Sequence, residues 1–369
     1  PRIAFGQKRA NAAVTMLKLG EKESVLPVFN WTDDPEALTQ FIFRCKPRGI
    51  PVEALLDLLD LVSVDPMKYP KDTRYALLLS IGEYGRSEIP ASRIELLIKR
   101  LADWYANDPS SGIHGASGWL LRYLGEKEIA DRVDQTPVPY SPDREWFTLA
   151  ITVKPTPPPQ PKPEKQEESE ASETKAEESN AEKPAPPPEP LSPKTFYYTF
   201  IVHPSGEYTI SSVEDEDGRF KSDEIRHTVT LTRPFALLDR EIRIEELISY
   251  SPQYAGYMKQ FDAAPNDAGF GPHWYDSVAF CRWLGQEMGL TETDQCYADP
   301  ETLEKEQQPR DPEKTSFPRN WPLDLSKRGF RLPTESEWEV MARSGSRTSY
   351  GYGSEVALLD RFGWFTENS

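Results

Sequence analysis

The first third of the chain is patterned for helices. In KRANAAVTMLKLG (residues 8–20), Ala12, Ala13, Met16, Leu17 and Leu19 fall near one face, and Gly20 closes the run. TRYALLLSIGEYG (73–85) repeats the arrangement with Ala76, Leu77 and Ile81, and GIHGASGWLLRYLG (112–125) does so again. Apolar residues three and four apart gather on one side of an α-helix, and a glycine just beyond ends it. A turn, TDDP at 32–35, precedes a further apolar stretch, EALTQFIFRC. Asp34, Asp72 and Asp108 sit in turns 38 and 36 residues apart. A period of about 40 residues with two helices per unit predicts pairs that stack, because no pair buries its apolar face alone. A non-repeating helical bundle is the competing reading. His114 has no partner at metal-ligand spacing, so a packing or surface role is expected.

The pattern then breaks. Residues 154–194 hold two proline-rich ends around a Glu/Ser/Lys/Ala core without an aromatic residue. Such a composition cannot bury enough apolar surface to offset its ordering entropy. A disordered, extended Pro/Glu-rich linker over 146–194 is therefore expected, with docking of its PxxP runs on an SH3-like module as the competing use. Beyond it, TFYYTFIVHPSGEYTI (195–210) alternates apolar and polar residues around Pro-Ser-Gly and predicts a β-hairpin. In HTVTLTRPFALLDREI (227–242), Val229 and Leu231 point one way, Thr228, Thr230 and Thr232 the other, and Pro234 stops the ladder. HWYDSVAFCRWLGQEMG (273–289) turns helical, with Asp276 as N-cap and Phe280, Cys281, Leu284 and Met288 on one face. A polar insertion (290–327) leads to GFRLPTESEWEVMARSGS at 329–346. Here Thr334 and Glu337 have the spacing of a capping box, and Glu335 suits the positive end of the helix dipole. Trp338, Met341 and Ala342 are expected to pack inward, Arg343 suits the last turn, and Gly345 suits the stop.

Composition narrows the function classes. Acidic residues outnumber basic ones 60 to 43, a net charge of −17. That balance argues against nucleic acid and against anionic membrane surfaces as partners. No apolar run approaches the ~20 residues of a membrane helix. Cys45, Cys281 and Cys296 have no CxxC spacing, so a reducing, cytoplasmic setting is expected, with a Cys281–Cys296 pair as the alternative. His203, His227 and His273 do not pair at helical spacing, which leaves no zinc set. EDEDG (214–218) lacks EF-hand spacing and reads as an ordinary acidic turn. Trp274, Tyr275, Trp283, Trp338, Tyr350, Tyr352, Trp364 and Phe365 are expected to form core rather than line a groove.

The helical region, residues 1–145, resembles HEAT-type repeats, in its period more than in its letters. That resemblance implies a scaffold that takes protein partners. Two later motifs are more specific. HWYDSVAFCRWLG, then GFRLPTESEWEVMARSG and YGYG, closely resemble the formylglycine-generating enzyme, or sulfatase-modifying-factor, family. The family pattern is W-x-D-A-x-A-[FY]-C-x-W followed by R-L-P-T-E-A-E-W-E-x-A-x-R-G-G. It is matched by Trp274, Asp276, Ala279, Phe280, Cys281 and Trp283, then by Arg331, Leu332, Pro333, Thr334, Glu335, Glu337, Trp338, Glu339, Ala342, Arg343 and Gly345. The stretch from Gly206 to Ile242 is similar to the family's opening hairpin. It has Ile210 and Ser211 where Met-Gly is usual, Arg226 in place of proline and Arg243 in place of threonine.

This second resemblance spans 195–369 and implies a C-type-lectin-like α+β fold. It also implies an activity, the oxidation of a sulfatase cysteine to formylglycine by copper(I) held on two cysteines, with a calcium ion held in part by an asparagine. The chain departs at those sites. Cys281 matches a structural helix cysteine of the family, Cys296 falls in the insertion, and Cys45 lies in another region. Phe362, Gly363 and Trp364 stand where the calcium asparagine is expected. The domain is thus expected to be incomplete here, with no catalytic, copper or calcium residues and no other cofactor. Trp274, Asp276, Cys281, Trp283, Arg331, Pro333, Thr334, Glu335, Glu337, Trp338 and Arg343 are expected to be structural. Protein or ligand binding on a helical-repeat arm is the expected function, and a fragment of a copper-dependent oxidase is the alternative. A second chain completing the domain is a further expected partner. The arrangement also resembles the back half of multidomain bacterial proteins that begin with a kinase domain.

Overall fold

The structure is a computed structural model that describes residues 2–64, 68–154, 192–214, 216, 218–300, 302 and 321–363. The proline- and glutamate-rich stretch 155–191, half of the polar insertion (301 and 303–320), and Trp364 and Phe365 lie outside the described residues. The chain divides into two compact units, one of 1–150, 197–239 and 333–369, the other of 151–196 and 240–332.

Helices dominate the first unit: α1 (Arg2–Lys18), α2 (Lys22–Val25), α3 (Glu36–Arg44), α4 (Val52–Val64), α5 (Lys71–Ile81), α6 (Ala91–Asn107), α7 (Ser111–Tyr123) and α8 (Lys127–Asp134). α1 packs on α3, α4 on α5 and α6 on α7, while α3, α5 and α7 follow one another in contact. The spacing read from the aspartates reappears in the polar bonds. Lys46, after α3, donates to the carbonyl of Glu83 after α5; Arg86, after α5, donates to the carbonyl of Leu124 after α7. These partners are 37 and 38 residues apart.

The helix faces differ in detail from the expectation. In α1 the buried stripe is Gly6, Ala10, Ala13, Val14 and Leu17, while Ala12 is exposed and Met16 and Leu19 are 40 % and 71 % exposed. Gly6 sets that stripe. A Cβ there would stand 2.4 Å from Glu36 Cγ, so α3 can approach α1 only along it.

The linker boundary also moves. Residues 146–153 form a strand, β1 (Trp146–Val153), although the expected linker began at 146. WFTLAITV buries Trp146, Thr148, Ile151 and Val153, and the proline-rich composition starts only beyond it. Trp146 is anchored in the helical core. Its ring stacks on His114 at 3.7 Å, and its Nε1 donates to the Asp108 carbonyl at 2.9 Å.

Four strands follow: β2 (Lys194–His203), β3 (Gly206–Ile210), β4 (His227–Leu231) and β5 (Phe235–Leu238). They make a three-stranded sheet in the order β1-β2-β5 and a separate β3-β4 ladder. The expected hairpin over 195–210 is therefore two strands that do not pair with each other. β2 lies between two neighbours, with Phe200 opposite Leu238 of β5, and has no edge left for β3. β3 pairs with β4 instead, Tyr208 opposite Val229.

The second unit carries α9 (Ile244–Tyr250), α10 (Tyr254–Met258) and α11 (Trp274–Glu287). His273, not Asp276, is the N-cap of α11. Asp276 sits three residues in, and its carboxylate accepts the His273 amide at 3.0 Å. Phe280, Cys281 and Leu284 are buried as expected, whereas Met288 lies past the last turn and is 46 % exposed. A small core gathers Val278, Cys281, Tyr297 and Trp321.

Candidate functional site

The densest motif folds as α12 (Glu335–Arg343), in the first unit. Pro333 precedes the N-cap. Thr334 Oγ1 accepts the Glu337 amide at 3.2 Å, and the Glu337 carboxylate accepts the Thr334 amide at 2.8 Å. This reciprocal box satisfies two amides that helix geometry leaves without partners. Glu339 accepts the Ser211 amide at 2.6 Å and Arg343 Nε at 2.7 Å, and Arg343 Nη1 donates to the Thr348 carbonyl at 3.2 Å. Ser344 takes the left-handed conformation at the helix end (φ 47°), just ahead of Gly345. Of the three glutamates in the motif, only Glu335 is exposed.

Trp338 corrects the inward-packing expectation. It is 61 % exposed, and Val340 and Glu337 are the buried residues of the helix. Glu337 and Val340, three residues apart, share the buried face, and Trp338, one residue on from Glu337, points about 100° away from it.

Trp338 lines a groove of about 1130 Å³ within the first unit. Leu38, Tyr75 and Leu79 of the helical stack line it too, together with Trp31, which is 44 % exposed. Its polar residues include Lys71, Asp72, Ser111 and Glu145. Lys71 pairs with Glu145, whose other oxygen accepts the Ser111 amide and hydroxyl at 3.0 and 3.1 Å. Burial opposes ionisation of Glu145, but the bonds from Lys71 and Ser111 prevail and hold its carboxyl below the usual range. Asp72 goes the other way, raised mainly by burial. The groove thus offers aromatic faces and two carboxyl groups whose surroundings shift them in opposite directions, which suits a partner with apolar and hydrogen-bonding parts. Tyr350, Tyr352 and Phe362 also line it, and Tyr352 stacks on Phe362 at 3.9 Å. The sequence marked none of the helical residues of this groove. An exposed Trp31 beside the TDDP turn was the available signal.

The remaining motif residues lie in the second unit. Trp274, 49 % exposed, is not core as expected; it meets Tyr275 edge-on at 5.1 Å. Trp283 is half-buried against Tyr250 and Phe280. Arg331 donates to the Leu332 carbonyl at 3.1 Å. Trp274, Asp276, Cys281, Trp283 and Arg331 therefore belong to one unit, and Pro333, Thr334, Glu335, Glu337, Trp338 and Arg343 to the other.

Copper(I) would need a thiolate pair. Cys45 lies in the helical core, its thiol pushed up to about 12 by burial. Cys281 is likewise pushed up to about 12, first by burial and then by Cys296. The Cys296 thiol is raised by burial and donates to the Gly329 carbonyl at 3.0 Å. All three are free, so the alternative Cys281–Cys296 disulfide is not formed. Cys45 lies in the helical core and Cys281 and Cys296 are buried in the second unit, Cys296 with its thiol turned to the Gly329 carbonyl, so the three do not offer an open thiolate pair to copper(I). Among the described residues, no group of three or more His, Cys, Asp or Glu is placed to hold a metal ion. Nor is any helix among them long and apolar enough to cross a membrane.

Residues 192–362 match the family model of the sulfatase-modifying factor enzyme 1-like domain. That stretch contains β2 to β5 and α9 to α12, so the chain carries a segment of sulfatase-modifying-factor type after its helical region. A search of curated proteins and a search of solved structures each find no match.

Proposed function

We propose that this chain is a binding module. Its sulfatase-modifying-factor-type segment and its helical arm serve to hold a protein or ligand, and the groove beside Trp338 is where the partner sits. The observation that carries this reading is the exposure of Trp338 and Trp31 in one groove. Large aromatics left in water at a concave, partly charged surface are the usual anchors of an interface. The helical arm is HEAT-like in this reading, which the stacked pairs and the bonds recurring every 37 and 38 residues support. The three free thiols favour a reducing compartment as its setting.

The test is selection of peptides from a random library on the full chain, followed by Trp338→Ala and Trp31→Ala. Each variant is expected to weaken the selected peptides by about tenfold, ~1.4 kcal/mol, with little change in melting temperature. Equal binding by both variants would overturn the assignment of the groove. The family match favours a second reading, the copper-dependent oxidase. Copper(I)-dependent conversion of a Cys-x-Pro-x-Arg peptide to formylglycine by this chain would replace the binding reading with that one.

A further inference from the structure

The wall of the groove is more acidic than basic. Of the Asp, Glu, Lys and Arg side chains that line it, Asp72, Glu145, Glu335 and Glu339 stand against Lys71 and Arg343. Both cations are taken up within the wall: Lys71 pairs with Glu145, and Arg343 Nε pairs with Glu339 at 2.7 Å. Asp72 and Glu335 form no ion pair among the described residues. They stand in the first turns of α5 and α12, so two separate elements each bring an unpaired carboxyl to the groove. The charges just outside the lining do not reverse this. Arg347 pairs with Asp33 and Arg74 with Asp108. Arg226, near Arg343 and Arg347, adds one positive charge, and the buried Glu36, which accepts the Ser354 amide, adds one negative.

The aromatic faces are open as well. Trp31 and Trp338 are 44 % and 61 % exposed, and neither ring meets another ring or a cation among the described residues. Elsewhere the same chain seats cations on such faces, with Arg74 and Arg100 over Trp104 at 5.4 and 5.7 Å. A cation over an indole face contributes ~0.5–2 kcal/mol, more as water is excluded. Burial raises the Asp72 carboxyl, and a second cation beside it would oppose that shift as Lys71 already does in part. The volume, about 1130 Å³, exceeds the ~300–1,000 Å³ of small-molecule pockets and leaves room for several residues of a chain.

Starting from the reading of the groove as a binding surface, on which this rests, we propose that its occupant is a protein segment carrying lysine or arginine among apolar side chains. The apolar residues pack beside Leu38 and Leu79, and the cations reach the tryptophan faces, Asp72 and Glu335. Peptides selected from a random library on the full chain are then expected to be enriched in lysine and arginine over the starting library. A selected peptide is compared by fluorescence anisotropy with its version carrying glutamine at every lysine and arginine, which is expected to bind about tenfold more weakly or worse. Glu335→Lys is expected to weaken the basic peptide by about tenfold and Asp72→Asn by about threefold, while the glutamine version is untouched by either. Added salt weakens only the basic peptide. Glu335 is exposed, so its replacement leaves the fold intact even where that of Asp72 does not. Selected peptides without basic residues, still weakened by Trp338→Ala, would keep the groove and overturn the basic occupant. Basic peptides that bind Trp338→Ala as tightly as the parent would overturn the groove itself. A basic peptide indifferent to Glu335→Lys, or a library that yields no binder, also overturns the proposal.

Discussion

Glu36→Gln should destabilise the first unit although it changes one atom. Glu36 is 1 % exposed and is the acceptor end of a relay. Arg44 Nε donates to Gln40 Oε1 at 2.7 Å, Gln40 Nε2 donates to one Glu36 oxygen at 2.8 Å, and the Ser354 amide donates to the other at 2.9 Å. Beside it Thr39 Oγ1 donates to the Tyr352 carbonyl at 2.5 Å, so α3 holds the 352–354 turn from two points. A glutamine at 36 has one acceptor and one donor group. If its oxygen takes the Ser354 amide, its nitrogen faces the Gln40 nitrogen. If Gln40 turns over to accept, its own nitrogen faces Arg44 Nε. Either way two donors meet in a buried place, which costs ~2 kcal/mol. For a unit of this size that is roughly 4–8 °C in melting temperature. The second substitution, Gln40→Glu, supplies the missing acceptor. In the double variant, position 40 accepts from both Arg44 and position 36, and Ser354 keeps its partner. Urea unfolding of the full chain, read as a double-mutant cycle, is the assay. Stability equal to the parent in Glu36→Gln, or no recovery in the double variant, would refute the relay.

Two further outcomes follow from single residues. His114 is 4 % exposed and pushed down to about 4, chiefly by burial, against the pull of its bond to the Tyr105 carbonyl. Its unfolded value is near 6.5, so the unfolded chain takes a proton that the native ring refuses. Stability is unaffected above about pH 6.5 and falls from there toward pH 4 by up to ~3 kcal/mol; His114→Phe should flatten that part of the urea-unfolding profile, and an unchanged slope would count against it. Ser211 holds φ 71°, where a side chain costs ~1 kcal/mol, so Ser211→Gly should leave thermal stability unchanged or raise it by a few degrees, and a marked loss would refute the strain.

Local features of this fold were legible in the sequence, and non-local ones were not. The helices at 71–81 and 111–123 and the Thr334–Glu337 box depend on residues within a few positions of one another, and both appear where periodicity and cap spacing place them. The direction of Trp338 did not follow from periodicity. Trp338, Met341 and Ala342 do share a stripe, but Glu337 and Val340 share another, and the tertiary packing that buries the second stripe is not visible in the spacing. The pairing of β2 was illegible for a different reason. Pro204 and Ser205 are good turn residues, yet β1 and β5, far away in sequence, occupy both edges of β2. The groove was hidden in the same way, since Trp31, Lys71, Glu145 and Trp338 have no common period.

Glu337 closes the helix cap, and Glu339 is shared by Ser211 and Arg343. The family's usual glycine at position 211 fits the same logic. The backbone there is left-handed, and this chain keeps that geometry with a serine, its amide held by Glu339. Residues that fix backbone in this way fit any function built on the fold, so they do not discriminate between an oxidase and a binding module. The surface the motif leaves open includes the groove, in which Trp338 is exposed. An exposed tryptophan in a groove is the feature on which the proposed binding reading rests.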